Sequence, residues 1–158
     1  MKTRNVIKFF VAVVVSQLAG AVGALFTVSS VSTWYTELTK PAFTPPGWIF
    51  GPVWTMLYLL MGVAAFLVWK EGWSRNGVRL ALGLFLLQLA LNALWSVIFF
   101  GRNFVGWAFI EIILLWLAIL STALSFRRIS RTAFWLMLPY LLWVSFAGYL
   151  NISIWLLN

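Results

Sequence analysis

Five long apolar runs dominate the chain: Val6–Val28, Gly47–Trp69, Val78–Phe100, Phe104–Phe126 and Ala133–Leu156. Each meets the roughly 20 residues a helix needs to cross a hydrocarbon core about 30 Å thick. In lipid every backbone polar group must find its partner within the element, so runs of this kind fold as helices. The ten-residue alternating segments of a membrane β-barrel are absent. The expected fold is an all-α integral membrane protein, one five-transmembrane-helix bundle over residues 1–158, without internal repeats. The composition agrees, at 63% hydrophobic and 9% charged residues, where a soluble domain carries about 25% charged. Lys2 and Arg4 ahead of Ala19-Gly20-Ala21 resemble a secretory signal, but the apolar stretch runs on to Val28. That exceeds the 7–15 residues of a signal core, so a retained helix is expected.

The missing residue types exclude much chemistry. There is no Cys and no His, and the three acidic residues are Glu37, Glu71 and Glu111. Disulfides, thiol nucleophiles, Ser-His-Asp triads, zinc sites and His-ligated haem are therefore not expected, nor any metal or cofactor. The net charge of +8 reads as topology. Lys2, Arg4, Lys8, Lys70, Arg75, Arg79, Arg127, Arg128 and Arg131 fall on one side of the bundle, and Lys40 and Arg102 on the other. Basic residues favour the cytoplasmic side, which puts the N-terminus in the cytoplasm and the C-terminus outside. Nucleic-acid binding would require a clustered basic face on a soluble element, and none is present.

The connection Gly101-Arg102-Asn103 is so short that the third and fourth spans must be antiparallel neighbours. The first loop, residues 29–46, is longer and is expected to be structured. Thr33 is placed to cap a short helix through Leu38, and Lys40-Pro41 to end it. Thr44 is placed to cap the second span, with Pro45 at its first position. Trp34, Tyr35 and Phe43 supply aromatic anchors.

Polar and small residues in a span turn toward other helices or a cavity. Gln88, Asn92 and Ser96 form one stripe at fourfold spacing, with Trp95 beside it. Such a stripe serves either interhelical hydrogen bonds or a cavity wall. Trp54 with Tyr58, and Trp107 with Glu111, are each four apart, as are Pro139, Trp143, Ala147 and Asn151. Ser16, Gly20 and Ala24 make a small-residue face, read as helix packing; Gly77 and Ala81 make a second such pair, and both faces are candidates for a dimer contact. Trp48, Trp69, Trp73, Trp135 and Trp155 are read as interfacial anchors. Glu111 lies mid-span, where a carboxylate is costly and no basic residue of another span can meet it. It must be protonated, wetted by a cavity, or bonded to a partner such as Asn92 or a ring N–H.

Counted from the outer ends at 1.5 Å per residue, Trp54 and Glu111 lie roughly 10 Å deep, Asn92 about 12 Å, Ala147 about 15 Å and Trp143 roughly 21 Å. The expectation is an aromatic pocket, closed below and covered by the first loop, for a large, flat, mostly apolar ligand. Its expected lining is Tyr35, Pro45, Trp54, Tyr58, Asn92, Trp95, Ser96, Glu111, Trp143 and Ala147.

Trp34-Tyr35, Lys40-Pro41, Thr44-Pro45-Pro46-Gly47, Trp54, Asn92, Trp95 and Pro139-Tyr140-Leu141-Leu142-Trp143 together resemble the tryptophan-rich sensory protein / translocator protein family, also called the peripheral-type benzodiazepine receptor family. The resemblance runs through all five spans. It implies a five-helix bundle, commonly a homodimer, that binds porphyrins such as protoporphyrin IX, sterols in animals, and synthetic isoquinoline carboxamides and benzodiazepines. By position it implies pocket roles for Trp54, Trp143, Asn92, Trp95 and Ala147, and rim roles for Tyr35 and Pro45. Some bacterial members carry an acidic residue near position 111, and some degrade protoporphyrin in light, a reaction that would fall here to Trp54 and Trp143. The sterol pattern of animal members is missing, because no Lys or Arg follows Tyr149. The function expected is a receptor or sensor binding porphyrin-like ligands in the bilayer. The alternatives are a light- and oxygen-dependent porphyrin-degrading enzyme, and a small-molecule transporter.

Overall fold

The computed structural model describes residues 3–158. Its helices are α1 (Thr3–Val31), α2 (Trp34–Glu37), α3 (Gly47–Trp69), α4 (Val78–Ser96), α5 (Val105–Arg127) and α6 (Arg131–Leu157). Five of them are long and apolar enough to cross a membrane. No strand occurs among the described residues. Lys2, counted above in the topology argument, lies outside them.

The spanning helices close into a ring. α1 packs on α3, α3 on α6, α6 on α5, α5 on α4, and α4 back on α1. The three-residue turn does set α4 and α5 side by side. α1 buries only Ala12, Ser16 and Gly23, so its contact with the bundle is made by small side chains that let backbones approach. The two backbones approach closely at Gly62 of α3, where a Cβ would stand 2.7 Å from the Val13 Cα. Two hydroxyls on this helix bond their own backbone: Ser16 donates to the Ala12 carbonyl at 2.9 Å and Thr27 to the Gly23 carbonyl at 3.0 Å. The inner half of the ring is filled by a dry core in which Phe85 stacks on Phe126 at 5.9 Å, among Met61, Leu115, Ile119 and Met137.

The ends of the elements differ from the sequence expectation in four places. The third run is not one α-helix: after Ser96 the coil widens into a π-helical turn, Val97–Gly101, with the Arg102 amide bonded to the Val97 carbonyl at 2.9 Å. Thr33 does flank α2, but its hydroxyl turns back to the Ser29 carbonyl at 2.8 Å instead of capping α2. Thr44 does not cap α3, which starts at Gly47 behind Pro46; its hydroxyl closes a turn on the Pro41 carbonyl at 2.8 Å. Phe43, expected to help order the loop, is 79% exposed. Pro52 and Pro139 are accommodated inside unbroken helices.

The small-residue faces considered for a dimer are each partly used inside the subunit, while Ala24 and Gly77 stay exposed. Ser16 and Ala81 are fully buried, and Gly20 faces the Tyr58 ring. The basic loops meet at one end: Lys8 donates to the Trp69 carbonyl at 3.0 Å, Arg75 to the Ile129 carbonyl at 3.2 Å, and Arg127 lies 5.6 Å from the Phe134 ring.

Candidate functional site

At the opposite end the ring holds a cavity of about 660 Å³, within the 300–1,000 Å³ of ordinary small-molecule sites. Its roof is the first loop. Lys40 organises it by donating to the Tyr35 carbonyl at 2.7 Å and the Leu38 carbonyl at 3.1 Å, while its ammonium sits 4.8 Å from the Tyr35 ring. A cation at the C-terminal end of α2 meets carbonyls that have no helical partner. Tyr35 is buried against Phe99 and Phe100, and that burial pushes its hydroxyl pKa above the ordinary value. Two hydrogen bonds latch the loop to the end of α6: the Thr39 amide donates to Asn158 Oδ1 at 3.0 Å, and Asn158 Nδ2 to the Thr39 carbonyl at 2.9 Å.

The walls are aromatic with few polar atoms. Trp54 stacks on Tyr58 at 5.5 Å and meets the edge of Tyr140 at 6.1 Å. Trp143 lies edge-on to Phe50 at 6.0 Å. Trp95 stacks on Phe99 at 5.0 Å and donates to Asn151 Oδ1 at 3.0 Å, and Asn151 Nδ2 donates to the Val105 carbonyl at 2.8 Å. At the floor Asn92 joins three helices: it accepts from the Tyr58 hydroxyl and donates to the Tyr140 hydroxyl at 2.9 Å. Below it Gln88 is sealed in the core, with only the Met61 sulfur as a partner at 3.8 Å. The stripe on α4 thus serves both of its possible purposes, packing at Gln88 and cavity wall at Asn92 and Ser96.

Of the residues expected to meet, Tyr35, Trp54, Tyr58, Asn92, Trp95, Ser96, Trp143 and Ala147 line this cavity. Pro45 and Glu111 do not. Pro45 stays in the loop ahead of α3. Glu111 is on α5, which contributes nothing to the cavity because α4 and α6 stand on either side of it in the ring, away from α1 and α3. The carboxyl is buried, and neither oxygen has a hydrogen-bond partner among the described residues. Trp107, one turn away, is exposed on the outer surface beside Phe104 and Trp155. Glu111 thus stands apart from the cavity wall on which it was expected.

Sequence reasoning missed one whole wall. Gly20, Gly23, Ala24 and Thr27 of α1 line the cavity; the stripe read as packing also leaves the space a ligand would fill. Phe50, Phe99, Phe100, Leu150, Asn151 and Ile154 were missed as well. The fourfold spacing through Asn151 was the signal available for that residue. Nothing in the uniformly apolar end of α4 marked the π-helical turn that carries Phe99 and Phe100 inward.

The model of the TspO/MBR family matches residues 11–156. The chain is 46% identical over 139 residues to the tryptophan-rich protein TspO of Chlorobaculum tepidum, covering 88% of each chain. It is 40% identical over 155 residues to the protein of the same name in Archaeoglobus fulgidus, covering 98% of this chain and 99% of that one. It is 41% identical over 136 residues to the human translocator protein, covering 85% of this chain and 80% of the relative.

Proposed function

The chain belongs to the TspO/MBR family, and from that premise we propose that it is a multi-pass membrane receptor of the sensing type whose cavity binds porphyrins and related flat, apolar ligands. The observation that carries the reading is the convergence of Trp54, Trp95 and Trp143, from three different helices, on one roofed cavity. Indole and phenol faces stack on planar rings, and the few polar groups fix their orientation. Titration of the purified protein with protoporphyrin IX should quench tryptophan fluorescence saturably. Trp54→Phe combined with Trp143→Phe should weaken binding by about tenfold, since each lost aromatic contact is worth about 0.5–1.5 kcal/mol. Unchanged affinity in the double variant would remove this site from the account.

The same indoles favour a second reading, a light- and oxygen-dependent breakdown of the bound porphyrin through Trp54 and Trp143. Illumination should then bleach the Soret band faster with protein than without it, and the double variant should lose that difference. The reading also includes a second copy of the chain as partner and an N-terminus in the cytoplasm.

A further inference from the structure

The proposed ligand leaves open which side of the cavity it crosses, and the walls differ sharply in exposure. On the side of α4 and α6 the lining is sealed, with Asn92 only 4% and Asn151 only 1% exposed. On the side of α1 and α3 it is open: Val28 is 70% and Trp48 75% exposed, and Ala21, Ala24 and Gly51 are exposed too. A Cβ on Gly51 would meet nothing within 4 Å.

The opening has definite ends. Below it, Gln17 Nε2 donates to the Thr55 carbonyl at 3.1 Å, tying α1 to α3, and further in the helices press together at Gly62 and Val13. Above it they meet again, since a Cβ on Gly47 would stand 3.2 Å from Val31 Cγ1. From Gly47 to Thr55 the gap spans roughly 12 Å along α3. Its borders are small residues of two lipid-facing helices, with Trp48 at the upper edge. The roof, in contrast, is held by the Thr39–Asn158 latch, by the Lys40 bonds and by the Ser30 hydroxyl donating to the Phe100 carbonyl at 2.8 Å.

We infer that the cavity is loaded sideways from the bilayer, through a window between the outer halves of α1 and α3, by ligands already dissolved in the lipid. This rests on the ligand reading above. An apolar planar molecule partitions into the hydrocarbon before it meets the protein, and there it encounters a breach framed by small side chains. The latched roof makes passage from the water the slower route.

The chain has no cysteine, so Gly51→Cys gives a unique handle at a position with free space. In phosphatidylcholine nanodiscs, loading with protoporphyrin IX is followed by stopped-flow tryptophan quenching. Attaching a bulky benzyl thiosulfonate to that cysteine should slow both loading and release at least tenfold, and reduction should restore both rates, which controls for misfolding. A disulfide across Thr39→Cys and Asn158→Cys, locking the roof, should leave loading at the wild-type rate. Slowed loading in the locked roof, or unslowed loading with the benzyl adduct, overturns the inference. If the wild type does not bind protoporphyrin at all, the ligand reading fails, and a bimane dye on the Gly51→Cys chain judges the window separately. Brominated phosphatidylcholine should quench it strongly, and an unquenched dye overturns the window.

Discussion

Asn92 and Glu111 are both polar, both buried and at nearly the same depth, yet their surroundings give them opposite roles. Asn92 has tyrosine partners from α3 and α6 and borders the cavity. Glu111 has no partner for either oxygen among the described residues and touches no part of the cavity. A buried group without a partner carries its desolvation cost uncompensated, about 1–3 kcal/mol and more when charged. Glu111→Leu is therefore expected to raise the midpoint of thermal unfolding in detergent, with protoporphyrin affinity unchanged within twofold. A lowered midpoint together with weakened binding would return Glu111 to the site. The contrast also marks a limit of the sequence at this scale. Residue counting gives the height of a side chain in the membrane, but the direction it faces depends on which helices are neighbours, and that is a property of the whole ring.

Among the elements, α1 is the one whose sequence and role are hardest to connect. Its large apolar residues face outward and its small ones face the bundle, so hydropathy alone does not mark its inner side. Its small residues are visible as a stripe, but they do two different things along its length. They allow tight contact where Gly62 of α3 approaches Val13 and where Gly20 meets the Tyr58 ring, and further along Ala24 borders the cavity. Gly62→Ala should force the two helices apart at a backbone contact that cannot yield, destabilising the protein by about 1–3 kcal/mol. Gly51→Ala should change the unfolding midpoint little, because nothing lies within reach of the added methyl. Equal effects of the two substitutions would mean that α1 and α3 are not in contact as described. The spans themselves were legible to within a few residues at each end, since hydrocarbon thickness sets their length. The π-helical turn and the loop caps were not, because they depend on contacts between elements: Phe99 and Phe100 pack under Tyr35, and the Thr33 hydroxyl turns back to the Ser29 carbonyl instead of capping α2.

For the molecule as a whole, the ring order α1–α3–α6–α5–α4 creates two ends with different properties. One gathers the basic loops over a solid core, and the other holds the aromatic cavity under a latched loop. With the N-terminus in the cytoplasm, as proposed from the positive-inside bias, the cavity would lie in the outer half of the bilayer. A cysteine added at Asn158 in intact cells should react with a membrane-impermeant maleimide, and one replacing Lys70 should not; the reverse pattern would invert the molecule. The central claim is that a planar ligand sits between indoles contributed by separate helices. A structure of the protein in lipid with protoporphyrin IX bound tests it most directly. The macrocycle is expected beneath the first loop, within contact distance of Trp54, Trp95 and Trp143. A macrocycle found instead in the outer groove against Trp107 and Trp155, with the roofed cavity unoccupied by it, would contradict the account.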